Sequence, residues 1–341
     1  MKIDVLCSDG SPLGVGVSSI YGDKFRLGVG GAEMALLTMC ETWHKAGYDV
    51  RLYNDPHPGV SSPFAQLHKV SFDPHDDRDV LIIFRSPNPI VLSSNGLKVW
   101  WSCDQYTQGS FRDFAPMVDK IVCISPFHVE YFEKTYGIKD AINIDLPVRI
   151  DDYLRVIEKV PNRFLFSSVP DRGLEQLWRM WPRIKEILPD ATLTITSDYR
   201  LWGHHSAANE QHKSRWLVRD SIFFLGALPR ERLVDYQLQA EYHLYPCIYD
   251  ELFCISVAES QVAGAYTLTS GCGALPTTNM LTTLLLDAKD PRNDVSFIST
   301  LKSISSDRLN TKIKATENRI SATYRFDPEN IFKQWEEKVF K

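Results

Sequence analysis

The feature that most limits the fold is a recurrence of short, continuous apolar runs separated by longer segments with helical spacing. Val80-Leu-Ile-Ile-Phe84 contains no polar position. Such a run suits a strand covered on both faces, as in a parallel sheet with helices on either side. A strand with one wet face would alternate instead. Further candidate strands in the first half lie at 2–7, 48–53, 98–102, 120–124 and 141–146. Between them, a helix over 31–46 carries Met34, Leu36, Leu37, Cys40 and Trp43 and stops at Gly47. Another starts at Ser125-Pro126, a cap followed by proline in the first turn, and stops at Gly137. Strand–helix alternation of this kind predicts a doubly wound α/β domain.

The second half repeats the plan. Arg163-Phe-Leu-Phe-Ser167 reads as a strand, and 173–188 as a helix with Leu174, Leu177, Trp178, Trp181, Ile184 and Ile187 on one face. Pro189 ends that helix, and Thr192-Leu-Thr-Ile-Thr196 alternates as a strand. Strands at 222–225, 242–246, 265–269 and 283–286 follow, with helices at 229–240 and 254–263. The charged, proline-bounded stretch from Pro147 to Pro161 suits a linker. The boundaries expected are therefore 1–150 and 151–325, followed by a closing segment at 326–341. That segment, Asn330 to Phe340, is an amphipathic helix. From the residues alone it packs on its own domain as readily as elsewhere.

Composition narrows the class. A chain of 341 residues has room for two domains, each with its own core. At 44% hydrophobic and 24% charged residues it reads as a soluble globular protein. A net charge of −5 gives no sign of a nucleic-acid partner, though a local basic patch stays open. No run of about 18 apolar residues exists to span a membrane. The first residues read as a strand rather than a leader. Seven cysteines are scattered without a C-x-x-C pair, as expected for reduced thiols in a cytoplasmic protein. No H-E-x-x-H or cysteine–histidine grouping exists, and His204, His205 and His212 read as surface, so no metal site is expected. The acidic run His75-Asp76-Asp77-Arg78-Asp79 precedes a strand and reads as a solvated turn.

The chemistry concentrates in Tyr249-Asp-Glu-Leu-Phe-Cys-Ile-Ser-Val-Ala-Glu-Ser-Gln-Val-Ala-Gly264. Phe253, Val257 and Ser260 to Val262 have helical spacing, and Gly264 is the C-terminal cap. The amides from Phe253 to Ser256 are then free at a helix start, where unpaired donors and the helix dipole together attract a phosphate or diphosphate. Glu251 and Glu259, seven residues apart, flank that start and can grip hydroxyls on either side. Ribose, diphosphate and sugar in line describe a nucleotide sugar. The bland reading of the spacing alone is two solvated glutamates at a helix start.

Other motifs bear on the choice. Gly28-Val-Gly30-Gly31 precedes the helix at 31–46, but about twenty residues, Ser8 to Leu27, separate it from the first strand. A nicotinamide or flavin fingerprint would follow that strand at once, so a dehydrogenase is disfavoured. Ser167-Ser-Val-Pro-Asp-Arg172-Gly173 follows the first strand of the second half. Gly226-Ala-Leu-Pro-Arg-Glu-Arg-Leu233 and Gly271-Cys-Gly-Ala-Leu-Pro276 come later.

Taken together, in this order and at this spacing across 28–276, these elements resemble the retaining GT-B-fold glycosyltransferases of the E-x7-E type, the family 4-like or group 1 transferases. The resemblance implies two Rossmann-like doubly wound domains facing a central cleft. It also implies a return of the closing helix to the first domain through Trp335 and Phe340. It implies sugar transfer from a nucleoside diphosphate sugar, UDP- or GDP-linked, to a hydroxyl acceptor, with retention and without cofactor or metal. Glu251 would approach the donor sugar, Glu259 would bind ribose, and the amides of Phe253, Cys254 and Ile255 would hold phosphate. Gly30 and Gly31, with Glu33, match the Gly-Gly-x-Glu element near donor phosphate or acceptor. Arg172 matches the cation that neutralises the departing diphosphate. Many relatives carry a second basic residue where Ser168 stands, which also leaves open a binding protein without transferase activity. The backbone at Ala227 and Leu228 would border the base. Asp104 either orients the acceptor or sugar, or caps a loop.

Overall fold

In a computed structural model the chain divides into two compact units: Met1–Phe25 with Val29–Pro147 and Phe326–Lys341, and Arg26–Gly28 with Val148–Arg325. The structure describes residues 1–8, 28–56, 62–202, 221–284, 290 and 292–341. The glycine- and serine-rich loop over 9–27, the histidines at 204, 205 and 212, and the tail of the strand expected at 283–286 lie outside the described residues.

The first unit is built on β1 (Lys2–Leu6), α1 (Gly31–Lys45), β2 (Asp49–Asn54), β3 (Ala65–His68), β4 (Val80–Phe84), β5 (Leu97–Trp101), β6 (Lys120–Cys123), α2 (Pro126–Tyr136) and β7 (Ile142–Asn143). Its seven strands run in the order β3-β2-β1-β4-β5-β6-β7, every neighbour parallel. The central strand β4 is buried at all five positions, as its unbroken apolar sequence requires. Two edge elements depart from expectation. β3 has no buried residue, so it carried no apolar run to announce it. The strand expected over 141–146 shrinks to β7, two half-buried residues at the opposite edge.

The acidic run before β4 is only partly a solvated turn. Arg78 has no exposed side-chain surface and donates to Asp4 at 2.6 Å, with Asp4 equally buried in β1. Arg51 grips the same carboxylate at 2.6 and 2.8 Å and reaches Asp76 at 2.9 Å. Arg78 also donates to the carbonyl oxygen of Pro74. A buried carboxylate therefore meets two guanidinium groups whose remaining donors are satisfied, the condition for a tolerable buried ion pair.

In the second unit β8 (Val160–Phe166), α3 (Leu174–Ile187), β9 (Thr192–Ile195), β10 (Ile222–Phe224), α4 (Arg230–Gln239), β11 (Ala240–Tyr245), α5 (Ile255–Val262), β12 (Tyr266–Ser270) and β13 (Thr282–Leu284) lead into α6 (Arg292–Ser306) and α7 (Arg308–Phe326). The six strands run β10-β9-β8-β11-β12-β13, again all parallel. α3 buries Leu174, Leu177, Met180, Trp181 and Ile184 against the sheet, where Phe164 meets Trp181 edge-on at 5.6 Å. In both sheets the order reverses beside the first strand of the unit, between β1 and β4 and between β8 and β11. Ligands of such sheets bind outside the carboxyl ends of the strands at that reversal.

The chain ends in the first unit. α8 (Pro328–Trp335), capped by Asp327, leads into a π turn over Glu336–Phe340. Trp335 is fully buried against Trp43 and Trp101, with ring centroids 5.3 and 5.1 Å away. Phe340 also packs on Trp43. Tyr48 donates to Glu336 at 2.8 Å, and Lys120 to the Val339 carbonyl at 2.8 Å.

Candidate functional site

The reversal point of the second sheet gathers charge. After β8 the chain makes a short turn over Pro170–Arg172 and passes through Gly173 at φ 105. A Cβ there would overlap the Pro246 carbonyl oxygen and fall 2.9 Å from the Cys247 amide nitrogen. Only glycine lets the turn lie this close to the end of β11. That approach places the Arg172 guanidinium 3.6 Å from the centroid of the Tyr249 ring and its Nε 3.5 Å from Glu251 Oε1. Asp171 holds another arm of the guanidinium at 2.8 Å.

Glu251 sits in the loop between β11 and α5, with only 14% of its side chain exposed. Tyr245, the last residue of β11, donates its hydroxyl to Glu251 at 2.6 Å and lies 3.2 Å from the Ser168 hydroxyl. The Cys247 thiol approaches the same carboxylate oxygen at 3.9 Å. Burial raises the Glu251 carboxyl above its ordinary value, while Arg172 and the Tyr245 hydrogen bond pull it back. The backbone of Glu251 is fixed as well. Ala274 donates to its carbonyl at 2.7 Å. Gly273, at φ 58, lies so close that a Cβ would overlap that carbonyl oxygen.

Two turns of helix follow. α5 starts at Ile255 rather than 254, and its N-cap Cys254 is left-handed at φ 74, ψ 77. Val257 and Ala258 donate to the Cys254 carbonyl at 3.1 and 3.3 Å. Among the described residues no acceptor pairs the amides of Cys254, Ile255 and Ser256. Free donors at the positive end of a helix can attract an anion. The Cys254 thiol is buried, which pushes its pKa up to about 12 and keeps it neutral.

Glu259 lies on α5 and is buried. Oε1 accepts from Arg230 at 2.5 Å and Oε2 from Gln237 at 2.9 Å. Arg230 in turn reaches Asp152 at 2.8 Å and the Tyr153 hydroxyl at 3.1 Å. Both oxygens of the carboxylate expected to meet a ribose thus already take part in a protein network. Ala227 and Leu228 are buried, and the Ala227 amide donates to Asp198 at 3.1 Å. A base contact through that amide is therefore replaced by an internal bond, which leaves the carbonyls.

The first unit has a separate cluster at its own reversal point. Gly30 is the N-cap of α1 and Gly31 its first residue. The Glu33 side chain folds back so far that a Cβ on Gly30 would overlap its carboxylate. Glu33 pairs with Arg85, the residue after β4, which is held at φ 65. Arg85 Nε also stands 3.3 Å from Asp104, whose side chain is 39% exposed. Asp104 is therefore oriented by a guanidinium.

Several of these residues had no sequence signal. Tyr245 and Tyr249 both precede Glu251, Arg85 follows β4, and Arg230 is the first residue of α4. A tyrosine closing a strand before Pro246 was the one available hint, because that position must face the carboxyl end of the sheet.

No family model matches the chain. Two curated proteins are similar over about half of it. One is an uncharacterised glycosyltransferase, YqgM, of Bacillus subtilis, 26% identical over 159 residues, which are 46% of this chain and 43% of that protein. The other is the gpi3 subunit of the phosphatidylinositol N-acetylglucosaminyltransferase of Schizosaccharomyces pombe, 25% identical over 163 residues, 48% of this chain and 33% of that one. The match therefore spans less than half the length of these relatives. Among solved structures, sucrose-phosphate synthase from Thermosynechococcus elongatus superposes with a TM-score of 0.73 at 14% identity, covering 99% of this chain and 98% of that one. Anabaena HepE, in a complex with UDP and glucose, gives 0.66 at 13% identity over 99% of each chain. Among the described residues no helix is long and apolar enough to cross a membrane. The chain therefore has the GT-B fold, and over about half its length its sequence is similar to proteins named as glycosyltransferases.

Proposed function

We propose that the protein is a retaining glycosyltransferase that moves a sugar from a nucleoside diphosphate donor to a hydroxyl acceptor without a metal ion. One observation supports the reading: Arg172 and Glu251 stand 3.5 Å apart after the carboxyl ends of β8 and β11, and the Glu251 loop leads into the unpaired amides of α5. There the diphosphate would lie on the amides of Cys254 to Ser256, with Arg172 meeting the charge that grows as it leaves. Glu251, steadied by Tyr245, would accept a hydroxyl of the donor sugar. The bond from the anomeric carbon to the phosphate oxygen breaks, and a bond to the acceptor oxygen forms on the same face. The acceptor proton passes to the departing phosphate. In the first unit Asp104, held by Arg85, would orient the acceptor. The relatives named above as glycosyltransferases, and the UDP and glucose of the HepE complex, support a nucleotide-sugar donor. UDP- and GDP-hexoses are the first donors to try, and the compartment proposed is the cytoplasm.

The test is release of free nucleotide from a panel of nucleotide sugars, repeated in the presence of EDTA. Loss of one preorganised donor to a developing anion costs about 100- to 1,000-fold, so Arg172→Ala should fall by that factor. Turnover unchanged in both Arg172→Ala and Glu251→Ala refutes the assignment. A second reading, binding without transfer, draws on the pairing of both Glu259 oxygens with Arg230 and Gln237 and on Ser168 in place of a second cation. Calorimetric binding of a nucleotide sugar with no turnover over a broad acceptor panel would favour it.

A further inference from the structure

α7 faces the wrong way for a helix on a globular surface. Its buried residues are Thr311, Ala315, Asn318, Ala322 and Phe326, mostly small or polar. Its large apolar side chains point outward instead: Leu309 is 72% exposed, Ile313 46%, Ile320 70% and Tyr324 74%. At helical spacing these four fall within one narrow stripe, diametrically opposite the buried face. Scattered exposed apolar residues mean little, but a contiguous stripe marks a surface that something covers.

From this stripe we propose that α7 pairs in parallel with α7 of a second copy of the chain. The spacing fits a heptad with Ile313 and Ile320 at a and Leu309, Thr316 and Thr323 at d; isoleucine at a with leucine at d is the parallel two-stranded pattern, which Leu309 meets at one of the three d positions. The flanks are self-complementary. Lys312 takes a g position and Glu317 the e position five residues on, so in a parallel pair each Lys312 meets Glu317 of the other copy. Both are exposed, and among the described residues neither forms an ion pair. Arg319 takes the next g position but turns inward to the Tyr153 carbonyl at 2.9 Å. An antiparallel pair would instead set Lys312 beside Lys312 and Glu317 beside Glu317. An anionic lipid surface would want basic residues along both sides of the stripe, and Glu317 occupies one of them. The apolar stripe runs only about 22 Å at 1.5 Å per residue, so the association is weak and concentration-dependent.

Sedimentation equilibrium over a wide concentration range tests this. The wild type should move from 39.0 kDa towards twice that mass, and Ile320→Glu should stay at the single mass with an unchanged thermal melt, since the residue is exposed. Lys312→Glu and Glu317→Lys should each weaken association by about tenfold, as two symmetric contacts turn repulsive, and the double variant should restore it. A wild type that stays at 39.0 kDa throughout overturns the proposal. So does a dimer indifferent to Ile320→Glu, a Lys312→Glu variant that associates more tightly, or a monomer that floats with phosphatidylglycerol vesicles.

Discussion

Gly273 gives the sharpest way to separate backbone strain from damage to the site. A Cβ at this position would lie 2.5 Å from the Glu251 amide nitrogen and closer still to its carbonyl oxygen, where real Cβ contacts stay above 3.0 Å. Both atoms are backbone, so the loop carrying Glu251 must shift by at least half an ångström, and φ 58 adds strain for any L side chain. Gly137 provides the control: it caps α2 at φ 71, but a Cβ there meets nothing within 4 Å. Both alanine variants should lose about 1–2 kcal/mol from the left-handed backbone alone. Only Gly273→Ala also moves Glu251 relative to Arg172, and a misplacement of about 1 Å costs on the order of 100-fold in rate. The assay is nucleotide release from a nucleotide sugar, with thermal melts confirming that both variants fold. Gly273→Ala turning over within a few-fold of Gly137→Ala would refute the view that the glycine-rich loop holds Glu251 in place.

Three further outcomes follow from the same geometry. Cys254 stands at φ 74, so Cys254→Gly should be neutral within about 1 kcal/mol, lost packing being offset by relieved strain, whereas the β-branched Cys254→Val should cost more than about 2 kcal/mol in denaturant melts. The Glu251 carboxyl is raised above 4.5 by burial, so the folded state keeps its proton in a window where the unfolded chain has lost it, and stability falls as pH rises through that window. Glu251→Gln should therefore melt above the wild type at pH values beyond the raised pKa, the gap closing as pH falls towards 4.5; a gap that widens in acid contradicts the sign. Trp335→Ala, which removes a fully buried ring from the Trp43 and Trp101 cluster, should cost about 3–5 kcal/mol in urea unfolding, and a cost under about 1 kcal/mol would show that α8 is dispensable.

Legibility in the sequence tracked how each element is buried. β4 was plain because both its faces are covered, so every residue is apolar. β3 was invisible because it is an edge strand without a buried residue. α7 escaped for a different reason. Periodicity reports where large apolar side chains sit, and in α7 they lie on the outer face while Thr311, Ala315, Asn318 and Ala322 face the domain. In the site, Arg172 and Glu251 were visible as motif residues, and the structure places them 3.5 Å apart. Their supports were not. Tyr249 under Arg172, Tyr245 on Glu251 and Arg230 on Glu259 are contacts made by tertiary packing, and no local spacing encodes them. The left-handed backbone at Arg85 and Cys254 was equally hidden, since neither residue type favours that conformation.

The central claim is that the second unit cradles a diphosphate between Arg172 and the start of α5, and the structure of the protein with bound UDP or GDP tests it most directly. The account predicts phosphate oxygens about 2.9 Å from the Ile255 and Ser256 amides, with the Arg172 guanidinium against the terminal phosphate. Nucleotide bound elsewhere on the chain, with those amides and Arg172 making no phosphate contact, would contradict it.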